Sequence, residues 1–471
     1  MQMNANVFLI RVTWLIMFST MSKLLATLLL LLSAASSAAS LDGVWRSQGY
    51  GFIYQVHDPD WQSFEATATT CAPASKAKHQ PGTEATFRSG NGNLFSVVND
   101  SDPDRKRITT PAGLWSIVIE RIDAMPAVCA QPTANTPLNN FDVFTRTFAE
   151  QYISFDLRRV DWRTMAEEQR AKITANTTPA QLFDVLSNML RPLTDIHTGL
   201  EAPKLKREFD APLRPGSDRV VHGDIEKFAK AGRRHLASVT DRGYLRGPVV
   251  PLCRGQWQFG MAADGIGYLR ILQFGDYGRG GYDADLRALN SALDRIFANR
   301  LRGLIIDVRL SFGGDDRLGL AIAARLAATG YLAYAIQARS DPAVPDRYTP
   351  PQRVMVRPGR RPMFSGPVVE LIGPITMSAA ETFTQALMER TPHVLRIGEN
   401  TQGVFCDALD RHLPNGWNFS LPNAVYRTSD GRAFDVIGIP PDIAVPVFRD
   451  EDIAVGSDPG MDTALQALRK D

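Results

Sequence analysis

The residue best suited to covalent chemistry is a serine at the junction of an apolar run and a helical pattern. Ser378 follows the apolar residues 367–373 and precedes residues 382–388, whose pattern predicts a helix. Such a turn exposes the hydroxyl, and the N–H groups of the first helical turn face the same space, as a serine nucleophile requires. The spacing Ser378-x-x-Glu381 also fits a capping box, in which the serine would only cap the helix. Both interpretations are open from this segment alone.

Alternating strand and helix patterns must position this serine. From residue 265 onward, short apolar runs alternate with helical patterns, at 266–271, 283–299, 304–308, 318–329, 367–372 and 394–397. This order predicts an α/β catalytic core with a mostly parallel sheet over residues 261–450, followed by a C-terminal tail at 451–471.

Two segments of different character precede this core. Residues 41–132 contain short alternating runs separated by turn residues, which is typical of a small all-β domain. Residues 137–260 form a helical region and a connector. This region opens with aromatic residues that recur every three or four positions, which we interpret as core: Phe141, Phe144, Phe148, Tyr152 and Phe155.

Several blocks, taken in order, resemble the C-terminal processing (tail-specific) protease family and its tricorn-core branch. They are Leu-Thr-Asp-Ile-His-Thr at 193–198, Gly-Tyr-Leu-Arg-Ile at 267–271, Gly-Leu-Ile-Ile-Asp-Val-Arg at 303–309 with Gly313-Gly314, Thr-Met-Ser-Ala-Ala-Glu at 376–381 and Gly-Ile-Pro-Pro-Asp-Ile at 438–443. The resemblance implies a serine peptidase whose catalytic core has a ClpP/crotonase-like sheet with helices. It implies no metal and no cofactor.

The resemblance assigns the general base to a histidine and not to a lysine. The Ser/Lys branch of the family has its lysine downstream of the serine, where this chain has Val404. Moreover, no lysine occurs between Lys230 and Lys470. His197 lies in the Asp-Ile-His-Thr block and matches the histidine of the tricorn-like branch, so it is expected to take the hydroxyl proton of Ser378.

An acidic residue would orient that histidine. Asp435 matches an acidic position of the tricorn-like pattern and is expected in this role, with Asp195 as the local competitor. The same pattern has a serine immediately before the histidine. This chain departs from it with Ile196, and Thr194 or Thr198 is a candidate substitute.

Acyl transfer also needs N–H donors for the oxyanion. The N–H of Ala379, directly after the serine, is one candidate. The turn at Gly313 and Gly314 can supply the other, because glycine allows the backbone to approach substrate closely. The family has an asparagine before that turn, where this chain has Ser311.

The first 40 residues are typical of a secretory signal peptide. They contain no acidic residue, and Lys23 precedes an apolar run at 24–32 and a run of small residues. This pattern predicts an exported protein, periplasmic or secreted, with Met21 as a possible true start and no stable membrane insertion after cleavage. The alternative is a retained anchor that includes residues 7–18.

The four cysteines permit two disulfides in an exported chain, in any of three pairings. We favour Cys71–Cys129, because both residues lie in one segment. Cys253–Cys406 would then be the second bridge. Unpaired or partly paired thiols remain an alternative, since a chain of this length can bury an adequate core without bridges.

The sequence therefore predicts an exported serine endopeptidase that hydrolyses peptides or unfolded protein segments through an acyl-enzyme on Ser378. With 52 basic and 50 acidic residues, the chain shows no excess charge that would indicate a nucleic-acid partner. The alternative is a catalytically weak or inactive binding protein for apolar ligands or peptides on the same fold, because the family resemblance extends to interphotoreceptor retinoid-binding protein.

Overall fold

The computed structural model of the chain describes residues 41–102, 104–110, 113–215, 217, 225–341, 344, 347–406 and 408–470. The predicted signal peptide, residues 1–40, lies outside the described residues. From Gly43 onward, the described chain packs as one unit. Within these residues, no helix has both the length and the apolar character needed to cross a membrane.

A closed antiparallel barrel opens this unit. Its strands are β1 (Gly43–Ser47), β2 (Phe52–His57), β3 (Asp60–Ala66), β4 (Cys71–His79), β5 (Thr86–Ser89), β6 (Leu94–Asn99), β7 (Arg105–Thr109) and β8 (Ser116–Ile122). Each strand pairs with the next, and β8 closes the barrel on β1, with Trp45 opposite Arg121. Successive side chains of a strand point to opposite faces, so alternating sequences can fill such a barrel. The prediction of a small N-terminal all-β domain is confirmed.

A helical region follows the barrel, with α1 (Pro137–Gln151), α2 (Phe155–Arg158), α3 (Trp162–Arg170) and α4 (Pro179–Leu190). The hydroxyl of Thr136 caps α1 by accepting a hydrogen bond from the N–H of Asn139 (3.1 Å). Phe155 packs at the edge of the core, and the other members of the predicted aromatic stripe are fully buried within it: Phe141, Phe144, Phe148 and Tyr152.

The remaining strands are β9 (Gly199–Ala202), β10 (Arg207–Asp210), β11 (Val250–Leu252), β12 (Trp257–Met261), β13 (Ile266–Ile271), β14 (Gly303–Asp307), β15 (Tyr331–Ala338), β16 (Gln352–Val356), β17 (Val368–Ile372), β18 (Val394–Gly398), β19 (Ala408–His412), β20 (Asn418–Pro422), β21 (Ala424–Arg427) and β22 (Ile443–Ala444). The remaining helices are α5 (Ile225–His235), which continues as a π-helix (Leu236–Tyr244), α6 (Tyr282–Phe297), α7 (Asp316–Leu326), α8 (Ala379–Leu387), α9 (Asp450–Val455) and α10 (Pro459–Lys470).

The central sheet has the strand order β11-β12-β13-β14-β17-β18-β22. Neighbouring strands from β13 to β22 are parallel, so their carboxyl ends lie at the same edge. Open α/β sheets bind ligands at this edge. The segments that follow β14, β17 and β18 there carry Gly313, Ser378 and Val404. The predicted α/β core with a mostly parallel sheet is confirmed.

A second sheet, in the order β10-β9-β20-β19, joins the helical region to the core. β9 pairs with β20 in antiparallel fashion, with Leu200 opposite Phe419. His197 lies just before β9, and its carbonyl oxygen accepts a hydrogen bond from the hydroxyl of Ser420 (3.1 Å). This sheet therefore fixes the backbone of the histidine segment. A third, small sheet has the order β16-β15-β21.

The segment predicted as a C-terminal tail contains helix α10, which packs into the core. Met461 and Leu465 belong to a buried cluster that also contains Ile305 of the central sheet. Just before α10, the carboxylate of Asp458 forms a buried ion pair with Arg309 (2.8 Å). Burial is the largest single effect and raises the pKa of Asp458, but the charge of Arg309 and the hydrogen bonds to the carboxylate together outweigh burial and hold that pKa at about 2. The ion pair anchors α10 at the carboxyl end of β14.

The cysteines form one disulfide and not two. Cys71 and Cys129 are bridged, with their Cα atoms 5.0 Å apart, and link β4 to the turn that follows the barrel. The predicted second bridge, Cys253–Cys406, is wrong, because both residues are buried thiols. Cys253 lies between β11 and β12 at one edge of the central sheet, whereas Cys406 follows β18 and its sulfur accepts a hydrogen bond from the N–H of Ala424.

Candidate active site

Ser378 lies on a strained turn between β17 and α8. Its φ of 55° and ψ of −126° are unusual for a residue with a side chain, and such strain is typical of functional sites. The N–H of Ser378 donates to the carbonyl oxygen of Val404 (3.0 Å). The Ser378 side chain makes no capping hydrogen bond to α8, so the capping-box interpretation of its hydroxyl is wrong. The hydroxyl is left for other chemistry.

Glu381 fixes the loop at residues 401–404, and this loop accepts the hydrogen bond from the N–H of Ser378. Its buried carboxylate accepts hydrogen bonds from the hydroxyl of Thr401 (2.5 Å), the N–H of Gly403 (2.7 Å) and the N–H of Val404 (2.8 Å). Burial raises the pKa of Glu381 to about 7, although these hydrogen bonds act to lower it. Sequence reasoning treated Glu381 as a helix cap and missed this positioning role. The apolar residues Ala379, Ala380 and Phe383 near it in the sequence were the available signal.

The glycine turn after β14 packs directly against the serine. A Cβ atom added to Gly313 would lie 2.6 Å from Cβ of Ser378 and 2.8 Å from the backbone nitrogen of Ala379. Only glycine fits at this distance, and the φ of 93° at Gly313 also favours glycine. Among the described residues, no hydrogen bond uses the N–H of Gly313, Gly314 or Ala379. These N–H groups are the predicted oxyanion donors, and they lie next to the serine.

Gly313→Ala is expected to lower turnover by at least about 10²- to 10³-fold, the usual cost of losing one oxyanion donor, because the new methyl group would displace Ser378 and Ala379. The measurement is the steady-state hydrolysis rate of fluorescently labelled casein. Gly416→Ala is the matched control. Gly416 has a similar φ of 83° but faces open space, so it reports the cost of backbone strain alone. Equal rates for both variants would show that the turn at Gly313 does not contact the reacting group.

His197 lies in a segment that packs beside the nucleophile turn. The N–H of His197 donates to the carboxylate of Asp195 (3.2 Å). Ile196, the departure from the family pattern, packs against a buried cluster that contains Met377 and Val404. An apolar side chain at this position therefore attaches the histidine segment to both sides of the serine turn. The Nδ1 atom of His197 is buried and has no hydrogen-bond partner.

The carboxylate of Asp435 interacts electrostatically with helix α8, which follows Ser378 and which we call the serine helix, and with the segment that carries His197. Its pKa is raised to about 7, first by burial and then by the negative charges of Glu381 and Asp195. The N–H of the next residue, Val436, donates to the carbonyl oxygen of Gly403 in the loop held by Glu381 (2.8 Å). One carboxylate oxygen of Asp435, Oδ2, is buried without a hydrogen-bond partner. A buried acceptor and the buried Nδ1 of His197 thus both lack partners in the same region.

The competing acid, Asp195, has a structural environment. Its carboxylate accepts a hydrogen bond from the hydroxyl of Tyr152 (2.8 Å) and forms a buried ion pair with Arg158 (3.1 Å). These partners fix the turn that carries His197, which is a positioning role. Asp435 is therefore the better candidate for the acid that orients the histidine.

The three predicted residues are not joined by hydrogen bonds. Within the described part of the chain, no hydrogen bond links the hydroxyl of Ser378, the imidazole of His197 and the carboxylate of Asp435. Catalytic hydrogen bonds are often long or misaligned without substrate and tighten only in the complex. A search of the same residues for groups of three or more His, Cys, Asp or Glu side chains that could hold a metal ion finds none.

Two family models match the chain. The model of peptidase family S41 matches residues 265–445, and the model of the tricorn protease C1 domain matches residues 134–191. The first match contains the glycine turn, Ser378 and Asp435, and the second ends shortly before His197. No curated protein matches the chain in sequence.

Solved structures of low sequence identity share the fold. A candidate peptidase from Parabacteroides merdae is 24% identical, with a TM-score of 0.57, over 71% of this chain and 97% of its own. Mature CPAF in complex with lactacystin is 14% identical, with a TM-score of 0.50, over 71% of this chain and 97% of its own. These structural similarities establish the fold. The match to the family model indicates the chemistry of the chain. Residues 265–445 match the model of peptidase family S41, and this match supports a serine-type peptidase.

Proposed function

We propose that the protein is an exported serine endopeptidase that uses Ser378 as nucleophile, His197 as general base and Asp435 to orient the histidine. The observation that carries this proposal is the strained turn of Ser378. Its hydroxyl is not used for capping, and it lies against a glycine turn whose N–H groups are not engaged by the described residues. A serine that served only as a helix cap would have neither feature.

The proposed reaction is acyl transfer to serine and then to water. The oxygen of Ser378 attacks the peptide carbonyl carbon while its proton passes to His197. The oxyanion accepts hydrogen bonds from the N–H groups of Ala379 and of the glycine turn. The C–N bond then breaks, and the leaving amine takes the proton from His197. Water, deprotonated by the same histidine, hydrolyses the ester and restores Ser378.

The proposed substrates are peptides or unfolded protein segments. An extended chain can add as a strand beside the catalytic sheet, where its main chain forms hydrogen bonds without regard to sequence. The expected compartment is the periplasm or the exterior of the cell, from the predicted signal at residues 1–40 and the Cys71–Cys129 disulfide. No nucleic-acid partner is proposed.

A binding protein on the same fold is the second candidate. The observation that favours it is the lack of a hydrogen bond among Ser378, His197 and Asp435 within the described residues. Such a protein would hold an apolar ligand or a peptide without cleaving it.

Labelling with a fluorophosphonate probe tests the proposal. The mature protein is treated with the probe, and the modified peptide is identified by mass spectrometry. Modification of Ser378, absent from heat-denatured protein and from Ser378→Ala, would establish an activated serine. A folded protein that stays unlabelled, or is labelled elsewhere, would contradict the proposal and favour the binding protein.

A further inference from the structure

The barrel and the catalytic core line an open cavity of about 800 Å³ beside the glycine turn. On the core side it is lined by Gly314 and by the first residues of α7, including Asp316. On the barrel side it is lined by the polar residues Arg88, Asn93 and Thr110 and by apolar residues from three strands and from the segment before β8: Leu94, Ile108, Trp115 and Ile117. We call this space the junction cavity.

The barrel wall of the junction cavity carries a cluster of apolar side chains that are partly exposed to solvent. The wall residues Leu94, Ile108, Trp115 and Ile117 are all only half-buried. Ile108 and Ile117 are directly opposite each other in the β7–β8 register, so their side chains share one face. Half-exposed apolar clusters of this kind mark binding sites more often than ordinary surface.

The wall is held in place by contacts with both parts of the structure. The side-chain amide of Gln352 makes hydrogen bonds to both the N–H and the carbonyl oxygen of Ser116 (2.7 and 2.8 Å), which tie the start of β8 to the core. The ring of Trp115 stacks on Tyr50, with centroids 5.4 Å apart. On the opposite side, Asp316 accepts a hydrogen bond from Thr382 of the serine helix (2.7 Å). A wall fixed in this way can select ligands by shape, because its side chains lose little conformational freedom on binding.

The junction cavity lies beside the proposed catalytic centre. Gly314 lines it, and the preceding residue, Gly313, contacts Ser378. A peptide whose carbonyl carbon lies at Ser378 must pass this turn. A peptide that runs past this turn would bring the side chain of a residue close to the scissile bond to the cavity that Gly314 lines.

We propose that the junction cavity is a specificity pocket, formed jointly by the barrel and the core, for a bulky apolar side chain close to the scissile bond of the peptide substrate. This inference rests on the proposed peptidase function and names the substrate feature that the same site selects. It gives the barrel a role in substrate choice, since the apolar lining comes from the barrel and not from the peptidase domain.

The test compares cleavage of fluorescence-quenched peptides of one length that differ only in the residues flanking the cleaved bond. The wild type is expected to prefer Leu, Met, Phe or Trp over Gly at one of these positions. Leu94→Asp is expected to lower kcat/KM for the apolar peptide by about 10- to 100-fold and to change the glycine peptide little, because an apolar side chain bound there would remove water from the new carboxylate. Leu94 pairs with Arg88 across β5 and β6, so the new carboxylate has a cation opposite it and the barrel can still fold.

Val98→Asp is the matched control, because Val98 is on the same strand and 43% exposed but does not line the junction cavity. The milder variant Leu94→Asn replaces Leu94→Asp if the latter does not fold. Fluorophosphonate labelling of Ser378 is measured in parallel, since the small probe does not need the pocket. An unchanged apolar-to-glycine ratio in a variant that is labelled normally would overturn the pocket and leave the peptidase function standing. A wild type that is not labelled would overturn both.

Discussion

His197→Ala is expected to lower turnover by about 10⁴-fold or more and to abolish rapid labelling of Ser378 by a fluorophosphonate. A neutral serine hydroxyl is a weak nucleophile, and removal of its base typically leaves only the acceleration due to the oxyanion donors and to binding. At the position of the family's lysine this chain has Val404, whose carbonyl oxygen accepts a hydrogen bond from the N–H of Ser378, so a lysine does not supply the base at this position. Hydrolysis of labelled casein and the rate of probe labelling measure the effect.

The control for this prediction is His57→Ala. His57 is exposed at the end of β2 in the barrel, so its loss is expected to leave both rates unchanged. If His197→Ala retained more than a tenth of wild-type activity, another group would have to activate the serine.

Asp435→Asn is expected to lower turnover by about 10⁴-fold, as when the carboxylate that orients a catalytic histidine is replaced by an amide. An asparagine can hold the imidazole in the wrong tautomer and cannot stabilise its charged form. The wild-type rate is expected to rise with pH through about 7, because burial and the charges of Glu381 and Asp195 raise the pKa of Asp435 to about 7 and only the ionised carboxylate acts.

The pH profile separates this role from a structural one. In the wild type, ionisation of Asp435 near pH 7 contributes to the acid limb of kcat/KM. In Asp435→Asn that contribution is absent, so the acid limb of the residual activity should be less steep. A raised carboxyl pKa means that the folded protein binds a proton that the unfolded chain releases between about pH 4 and pH 7. Ionisation of Asp435 therefore lowers the free energy of unfolding as pH rises. Asp435→Asn has no such carboxyl group, so its melting temperature at pH 8 should be at least as high as that of the wild type. A profile of unchanged slope would remove Asp435 from the mechanism.

Local patterns predicted the elements of this fold well. The aromatic stripe of α1 and the apolar runs of β13, β14 and β17 carry their own periodicity, so each could be read without knowledge of its neighbours. Ser378 could be located for the same reason, because its strand and its helix are adjacent in the chain.

Long-range contacts were beyond the same reasoning. Nothing local indicates that β9 pairs with β20, that Glu381 binds a loop about twenty residues further on, or that Cys253 and Cys406 lie at different places around the core. The departure at Ile196 weakened the family resemblance. Its packing beside Met377 and Val404 gives that departure a physical reason, which only the fold could supply.

With His197 as the proposed base, the pairing of β9 with β20 would also make catalytic competence a late event in folding. His197 and Ser420, which this sheet connects, are 223 residues apart in sequence. Contacts between such distant residues form slowly, because the intervening chain must first be ordered. Until that sheet closes, the histidine segment has no fixed place beside the serine turn. On the proposed mechanism, a nascent or partly unfolded molecule would therefore not yet cleave its own exposed segments or those of its neighbours.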